Sequence, residues 1–335
     1  IDGTALGDLL TELDPRTTLF VVVSKTFTTE ETLSNAEQAR QWLRERAGAE
    51  AVARQIVGVS ANTQAMNAFG ISPALRLEFW EWVGGRYSLW SSVGFVLAIA
   101  IGAEHFEALL AGAHRMDLHC RDTPLEANLP ARLALIGVWN INIQKLPSLA
   151  VLPYDSRLAR WPAFLQQLEM ESNGKGVTRS GEPVAHETAP VVFGEPGTNA
   201  QHSFIQLVHQ GTRAVPVDFI LPANPDHDRP EAHRALAANA FAQAEALMVG
   251  KTLAEAEAEL SGQGFPESEI KSLAPYKVFE GNRPRLEHKP ELPLEPVFRE
   301  RPIRQDDAAL GALRLHIGRD QHQIMEGFKA GNIAH

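Results

Sequence analysis

The sequence predicts an α/β protein with mainly parallel sheets and helices on both sides, and three observations predict it. Residues 17–23, Thr-Thr-Leu-Phe-Val-Val-Val, are a continuous β-branched and aromatic run, the pattern of a strand covered on both faces. Leu33, Ala36, Ala39 and Leu43 recur at near-helical spacing behind Thr28-Thr29-Glu30-Glu31, whose hydroxyls and carboxylates suit a helix N-terminus. The pairing then repeats: residues 55–60, Gln-Ile-Val-Gly-Val-Ser, read as a strand, and a short helix from Thr63 ends at Gly70. Alternation of this kind builds a parallel sheet, because parallel neighbours need a crossover connection, usually a helix.

Further along, residues 93–101 form the most apolar run, well short of the roughly 20 residues that span a bilayer, and read as a buried helix. From Met116 to Asn128 the sequence turns polar and loses its periodicity. A boundary placed there gives a first domain over 1–122 and a second over 123–283. Helices are expected at 129–138, 156–168, 201–210 and 235–249, the last closed by Gly250 as a C-cap, with the clearest later strand at 215–221. Pro284, Pro290, Pro293, Pro296 and Pro302 forbid a regular helix or a central strand, so residues 284–335 are expected to be an extended or disordered arm.

A length of 335 residues fits about two domains. With 44% hydrophobic and 21% charged residues, wholesale disorder is excluded. The formal net charge of −10 lacks the basic footprint of a nucleic-acid binder, though one local site can still hold a small phosphorylated ligand. Cys120 is the only cysteine, which excludes an internal disulfide framework and multi-cysteine metal sites and fits a reducing, cytoplasmic compartment. No membrane span and no basic-then-apolar leader are legible.

Four segments can carry chemistry. Ser24-Lys25-Thr26-Phe27-Thr28-Thr29 sits where a parallel strand gives way to a helix, the usual ligand crevice of an open α/β sheet. The hydroxyls of Ser24, Thr26 and Thr29, the free N–H groups of a helix start and the Lys25 ammonium suit a phosphate, although an ordinary Ser/Thr-capped helix has the same look. No glycine-rich nucleotide loop accompanies them. Residues 80–88, Trp-Glu-Trp-Val-Gly-Gly-Arg-Tyr-Ser, place Arg86 beside two glycines, where its fork of donors would hold an anion or simply form a surface ion pair.

Residues 167–175 put Glu169 and Glu171 at the end of a helix, where a carboxylate serves as a general base or as a solvated helix end. Gly194 to His202 lead into the apolar run 204–208, with Thr198 or Asn199 as N-cap and His202 in the first helical turn, where the dipole disfavours imidazolium. His209 shares that face and reads as structural, because two histidines are too few for a metal site. His114, His119, His316 and His322 read as surface residues.

Together these segments resemble the glucose-6-phosphate isomerase family. The resemblance rests on Ser24-Lys-Thr-Phe-Thr-Thr-Glu-Glu-Thr, Phe79-Trp-Glu-Trp-Val-Gly-Gly-Arg-Tyr-Ser-Leu-Trp, Met170-Glu-Ser-Asn-Gly-Lys and Gly194-Glu-Pro-Gly-Thr-Asn-Ala-Gln-His-Ser-Phe, supported by Phe279-Glu-Gly-Asn-Arg-Pro284. It covers residues 1–284. It implies two sugar-isomerase (SIS) type α/β/α domains, the first incomplete, and interconversion of glucose 6-phosphate and fructose 6-phosphate through a cis-enediol without metal or organic cofactor.

By the resemblance, Ser24, Lys25, Thr26 and Thr29 grip the phosphate, Glu171 is the base, Arg86 stabilises the anionic intermediate and Gln167 contacts substrate. His202 assists ring opening from the partner subunit, so a homodimer is implied. The chain departs from the family in three places. The upstream glycine-serine segment is absent, Ala200 stands where glycine is usual, and no Asp-Gln-Trp-Gly-Val-Glu-Leu-Gly-Lys motif follows Pro284, so no lysine takes the ring-opening role. These departures make a homologue that binds phosphosugars or dimerises without efficient turnover the alternative reading.

Overall fold

The computed structural model describes residues 2–281 and 312–317. It is mixed α/β with short, mainly parallel sheets, and divides into two compact units, residues 1–117 and 118–335. No helix among the described residues is long and apolar enough to cross a membrane.

The first unit contains α1 (Gly3–Glu12), β1 (Phe20–Val23), α2 (Glu30–Arg54), β2 (Ile56–Ser60), α3 (Thr63–Ala68) and β3 (Arg76–Glu78). The three strands are parallel in the order β1-β2-β3, with Phe20 opposite Ile56 and Gly58 opposite Arg76. Strand alternation sends Phe20 and Val22 to the cluster of Leu43, Ile56 and Met66, and Val21 and Val23 to that of Val57, Val59 and Phe79. Both faces of β1 are therefore covered, as its unbroken apolar run requires, while β2 in the centre is buried at all five positions.

Helix α2 lays Ala36, Ala39 and Leu43 against the sheet. Leu43 is fully buried, worth about 1.5–3 kcal/mol relative to exposure. Gly58 has no room for a side chain, since a Cβ there would lie 2.6 Å from Ile71 Cδ1 and 2.8 Å from Met66 Sδ.

One expectation for this stretch is corrected. Residues 95–101 do form a helix, α4 (Phe95–Ile101), but none of its residues is buried, and Val96 and Ile99 are 48% and 58% exposed. An apolar composition creates the demand for cover, whereas neighbouring elements decide whether cover is supplied. The polar stretch from Met116 begins within α5 (Ala103–Asp122). Polar residues on a half-exposed helix weaken its periodicity without ending it.

The second unit adds α6 (Leu129–Val138), β4 (Ser148–Pro153), α7 (Trp161–Leu165), β5 (Val191–Phe193), α8 (Gly197–Ala200), α9 (Ile205–Gln210) and β6 (Val217–Pro222). It continues with α10 (Pro230–Val249), β7 (Gly250–Lys251), α11 (Leu253–Gly262), α12 (Glu267–Leu273), β8 (Phe279–Glu280) and β9 (Ala312–Ile317). The main sheet has the order β5-β4-β6-β9, with β5 and β6 parallel to β4 and β9 antiparallel to β6. Strand β9 falls within the expected arm; the proline cluster at 284–302 lies outside the described residues. Ala240, Ala244 and Leu247 of α10 pack on Phe219 and Leu221, and Gly250, at φ +73°, ends the helix.

The helices expected at 156–168 and 201–210 are both interrupted. Asp155 accepts from the Arg157 N–H and starts a single 3₁₀ turn over Ser156–Leu158; α7 then begins with Pro162 in its first turn and passes into a π-helical run, Gln166–Glu171. Residues 201–204 are turns between α8 and α9, so His202 lies outside the helix that was expected to hold it in its first turn.

Candidate active site

In the first unit the loop after β1 is fixed from three directions. Ser24 is buried, its amide N–H donates to the Val59 carbonyl (3.1 Å), and its hydroxyl lies 3.0 Å from that of Thr29. Thr29 immediately precedes α2 yet makes no capping hydrogen bond; its hydroxyl is turned to Ser24 instead. The first N–H groups of α2 have no partner within the helix and keep their positive end toward the loop.

Ser60 donates to the Lys25 carbonyl (2.9 Å), Ala61 N–H donates to the same oxygen (3.1 Å), and Asn62 Nδ2 donates to the Thr26 carbonyl (3.0 Å). Because a trans peptide points its N–H opposite its C=O, tying down the Lys25 carbonyl turns the Thr26 N–H away from β2. Phe27 completes the anchor. It is 2% exposed, packs edge-on against Phe69, and takes φ +54°, a left-handed conformation that bulky residues avoid. Such strain persists only where the surroundings enforce it, which is common at ligand-binding loops.

Lys25 Nζ donates to the Glu81 carbonyl (2.6 Å) and so joins this loop to the one that carries Arg86. Arg86 lies in the 3₁₀ segment Gly85–Trp90, half-buried, with its guanidinium over the Tyr87 ring at 4.6 Å. The first unit thus brings Ser24, Lys25, Thr26 and Thr29 onto one braced loop and Arg86 onto a loop linked to it, a cluster of donors with two fixed cationic side chains.

In the second unit Gln167 and Glu171 share the π-helical run and are exposed. That run is held against the edge strand β5: Gln166 Nε2 donates to the Val192 carbonyl (3.1 Å), and the Val192 N–H donates to Met170 Sδ (3.3 Å). The backbone groups that an edge strand leaves unpaired are what seat the helix carrying Glu171. The Ser172 hydroxyl donates to the Gln167 carbonyl (3.0 Å) and lies 3.2 Å from Glu171 Oε2, while Lys175 Nζ donates to the Glu171 carbonyl (2.7 Å). Gln167 and Glu171 stand four residues apart on this run.

Residues 194–203 leave the C-terminal end of β5, the edge where open α/β sheets place ligands, and His202 is exposed on the turn that follows α8. Ala200 is fully buried, so the sheet side of this loop accepts its methyl group. His209 packs edge-on against Phe279 and shares a hydrogen bond with Gln243 (2.9 Å), a structural role. His119 is not simply a surface residue: its Nε2 accepts from Leu129 N–H (3.1 Å) and its Nδ1 lies 3.1 Å from Thr123 Oγ1, which ties α5 to the start of α6.

Sequence reasoning missed the residues that support the candidates: Ser60, Asn62, Gln166, Met170 and Ser172. Ser60 and Asn62 left a signal, polar side chains directly after a fully apolar strand. Gln166 and Met170 form helix-to-strand contacts that no local pattern records, and the Ser172 hydroxyl turns back onto its own helical run.

The first unit thus carries a hydroxyl loop at the C-terminal end of a parallel strand, and the second unit carries an exposed carboxylate and an exposed histidine beside its own sheet. The profile of the phosphoglucose isomerase family matches residues 1–288, and the chain belongs to that family. Among solved structures it is similar to a glucose-6-phosphate isomerase from Chlamydia trachomatis, at 37% identity and TM-score 0.67 over 75% of this chain and 49% of that one. It is also similar to a hypothetical protein of Thermus thermophilus, at 27% identity and TM-score 0.59 over 73% of this chain and 61% of that one. The chain therefore spans about half the length of the Chlamydia enzyme that it matches.

Proposed function

We propose that the protein interconverts glucose 6-phosphate and fructose 6-phosphate through a cis-enediol, with Glu171 as the base. The observation that carries this reading is the exposed Glu171 carboxylate, seated on a π-helical run and approached by Ser172, in a chain that also carries the braced Ser24–Thr29 loop. The phosphate would be received by the hydroxyls of Ser24, Thr26 and Thr29, the Thr26 N–H and the Lys25 ammonium. Glu171 would take the proton from C2, the C2–H electron pair would form the C1–C2 double bond, and the carbonyl oxygen at C1 would gain a proton. Return of the proton from Glu171 to C1, with loss of the C2 hydroxyl proton in balance for the one gained at O1, would leave the ketone at C2.

Arg86 would stabilise the negative charge of the enediol, and Gln167 would contact the sugar hydroxyls. His202 would assist ring opening from the partner subunit of a homodimer. The dimer is supported by exposed apolar residues in each unit, Val96 and Ile99 on α4 and Leu133, Leu135 and Val138 on α6. No cofactor enters this sequence of steps. The competing reading is phosphosugar binding without efficient turnover.

The test follows fructose 6-phosphate in deuterium oxide by proton NMR, with Glu171→Gln alongside. Glucose 6-phosphate forming, or deuterium entering C1, is expected with the native chain, and a loss of about 10²–10⁴-fold with the variant. Neither event in a folded native sample would replace isomerisation by the binding-only reading.

A further inference from the structure

Tyr154 follows β4 at the ligand edge of the second sheet and is 1% exposed. Its N–H donates to the Ile220 carbonyl (2.7 Å), and its ring stacks on Phe219 with centroids 6.0 Å apart. The far end of the ring lies beneath Gly197: a Cβ at that position would fall 2.1 Å from Tyr154 Cε2 and 2.2 Å from Cζ. The backbone of the loop that carries His202 thus rests directly on the hydroxyl-bearing end of this side chain.

The hydroxyl itself is buried and has no hydrogen-bond partner among the described residues. A phenylalanine would fill the same volume and keep the Phe219 stack without burying an unmet polar group, which costs about 1–3 kcal/mol. Burial also pushes the phenol up to about 12, so the group is a donor throughout the neutral range. A buried polar atom left unmet needs a physical reason, and a partner taken up in a second state supplies one. The segment above it is suited to supply the partner: the Thr198 and Asn199 side chains make no hydrogen bond among the described residues, and Gly197 gives the backbone freedom to rotate.

We propose that Tyr154 is a positioning residue, whose hydroxyl takes up Thr198 or Asn199 as its partner when a phosphosugar binds and thereby fixes the His202 loop for reaction. The ligand class rests on the isomerase reading above. The positioning itself rests on the packing of Tyr154 against Gly197.

The experiment compares Tyr154→Phe with the native chain in three readouts: thermal midpoint without ligand, the shift of that midpoint with saturating fructose 6-phosphate, and kcat and KM. The variant is expected to melt at the same or a higher temperature without ligand and to show a smaller ligand-induced shift. Its KM is expected to rise in step with the smaller shift and its kcat to fall as the His202 loop is left less fixed, together lowering kcat/KM about five- to tenfold, the worth of one neutral hydrogen bond. A variant that melts lower without ligand, or that keeps both the shift and kcat, overturns the proposal. If the native chain shows a shift without turnover and the variant loses part of it, the positioning role stands while the isomerase reading falls. If turnover is present and unaffected by the variant, the reverse holds. A native chain with neither shift nor turnover overturns both.

Discussion

Gly197 shows how one position without a side chain sets the site. Tyr154 occupies the space its Cβ would need, and the ring cannot retreat because it is stacked on Phe219 in the core. Gly197→Ala should therefore lift the loop or displace the ring, at a cost of about 1–3 kcal/mol typical of overpacking, read as a lower urea midpoint. Turnover should drop with it, since His202 is carried on the lifted segment. Gly176→Ala is the matched control. Nothing lies within 4 Å of a Cβ there, so its stability should stay within about 0.5 kcal/mol of the native chain.

The segment after α10 makes the same point for elements. Helix α11 opens with a complete capping box, in which Thr252 Oγ1 accepts from Glu255 N–H and Glu255 returns to the Thr252 N–H. Glu259 on that helix then receives Lys251 Nζ (2.5 Å) from β7 and Lys277 Nζ (2.6 Å) from the turn before β8. Hydrogen bonds from these two ammonium groups hold the Glu259 carboxyl at about 2, below its ordinary 4.5. A depressed carboxyl contributes stability that is present above about 4.5 and lost as pH falls through about 2. The protection of residues 250–281 against hydrogen exchange, taken relative to the intrinsic rate at each pH, should accordingly fall between about pH 4.5 and 2. Glu259→Gln should be looser at about pH 6 and lose that pH dependence; an unchanged profile would show that the lysines contribute nothing net, the usual outcome for exposed pairs.

Across the whole molecule the decisive question is assembly. If Glu171 of one chain works with His202 of another, two inactive variants should rescue each other. In a mixed dimer of Glu171→Gln and His202→Ala, one of the two sites receives both native residues. Mixing the variants under exchange conditions should restore up to about a quarter of native activity, whereas sites completed within one chain would show no recovery. Light scattering on the native chain should report twice the mass of one chain. A net charge of −10 does not oppose such pairing, because exposed charges are screened beyond about 8 Å at physiological salt.

Local sequence determined the elements whose signal is long and periodic. Strands β1 and β2, helix α2 with its Ala36-Ala39-Leu43 stripe, α3 ending near Gly70, α6 and the end of α10 at Gly250 all follow from hydrophobic spacing and the conformational freedom of glycine. The candidate residues were also legible, because the motifs that carry Ser24, Arg86, Glu171 and His202 are contiguous in the chain. Tertiary structure alone decided the rest. A three-residue strand such as β3 or β5 exists only through its neighbours, and the break of 156–171 into a 3₁₀ turn, α7 and a π run depends on Gln166 and Met170 meeting Val192. The exposure of α4, the left-handed Phe27 and the brace from Ser60 to Lys25 belong to the same class. Each is settled by groups brought together only by folding, and a local pattern can state what a residue needs but not what the distant chain places beside it.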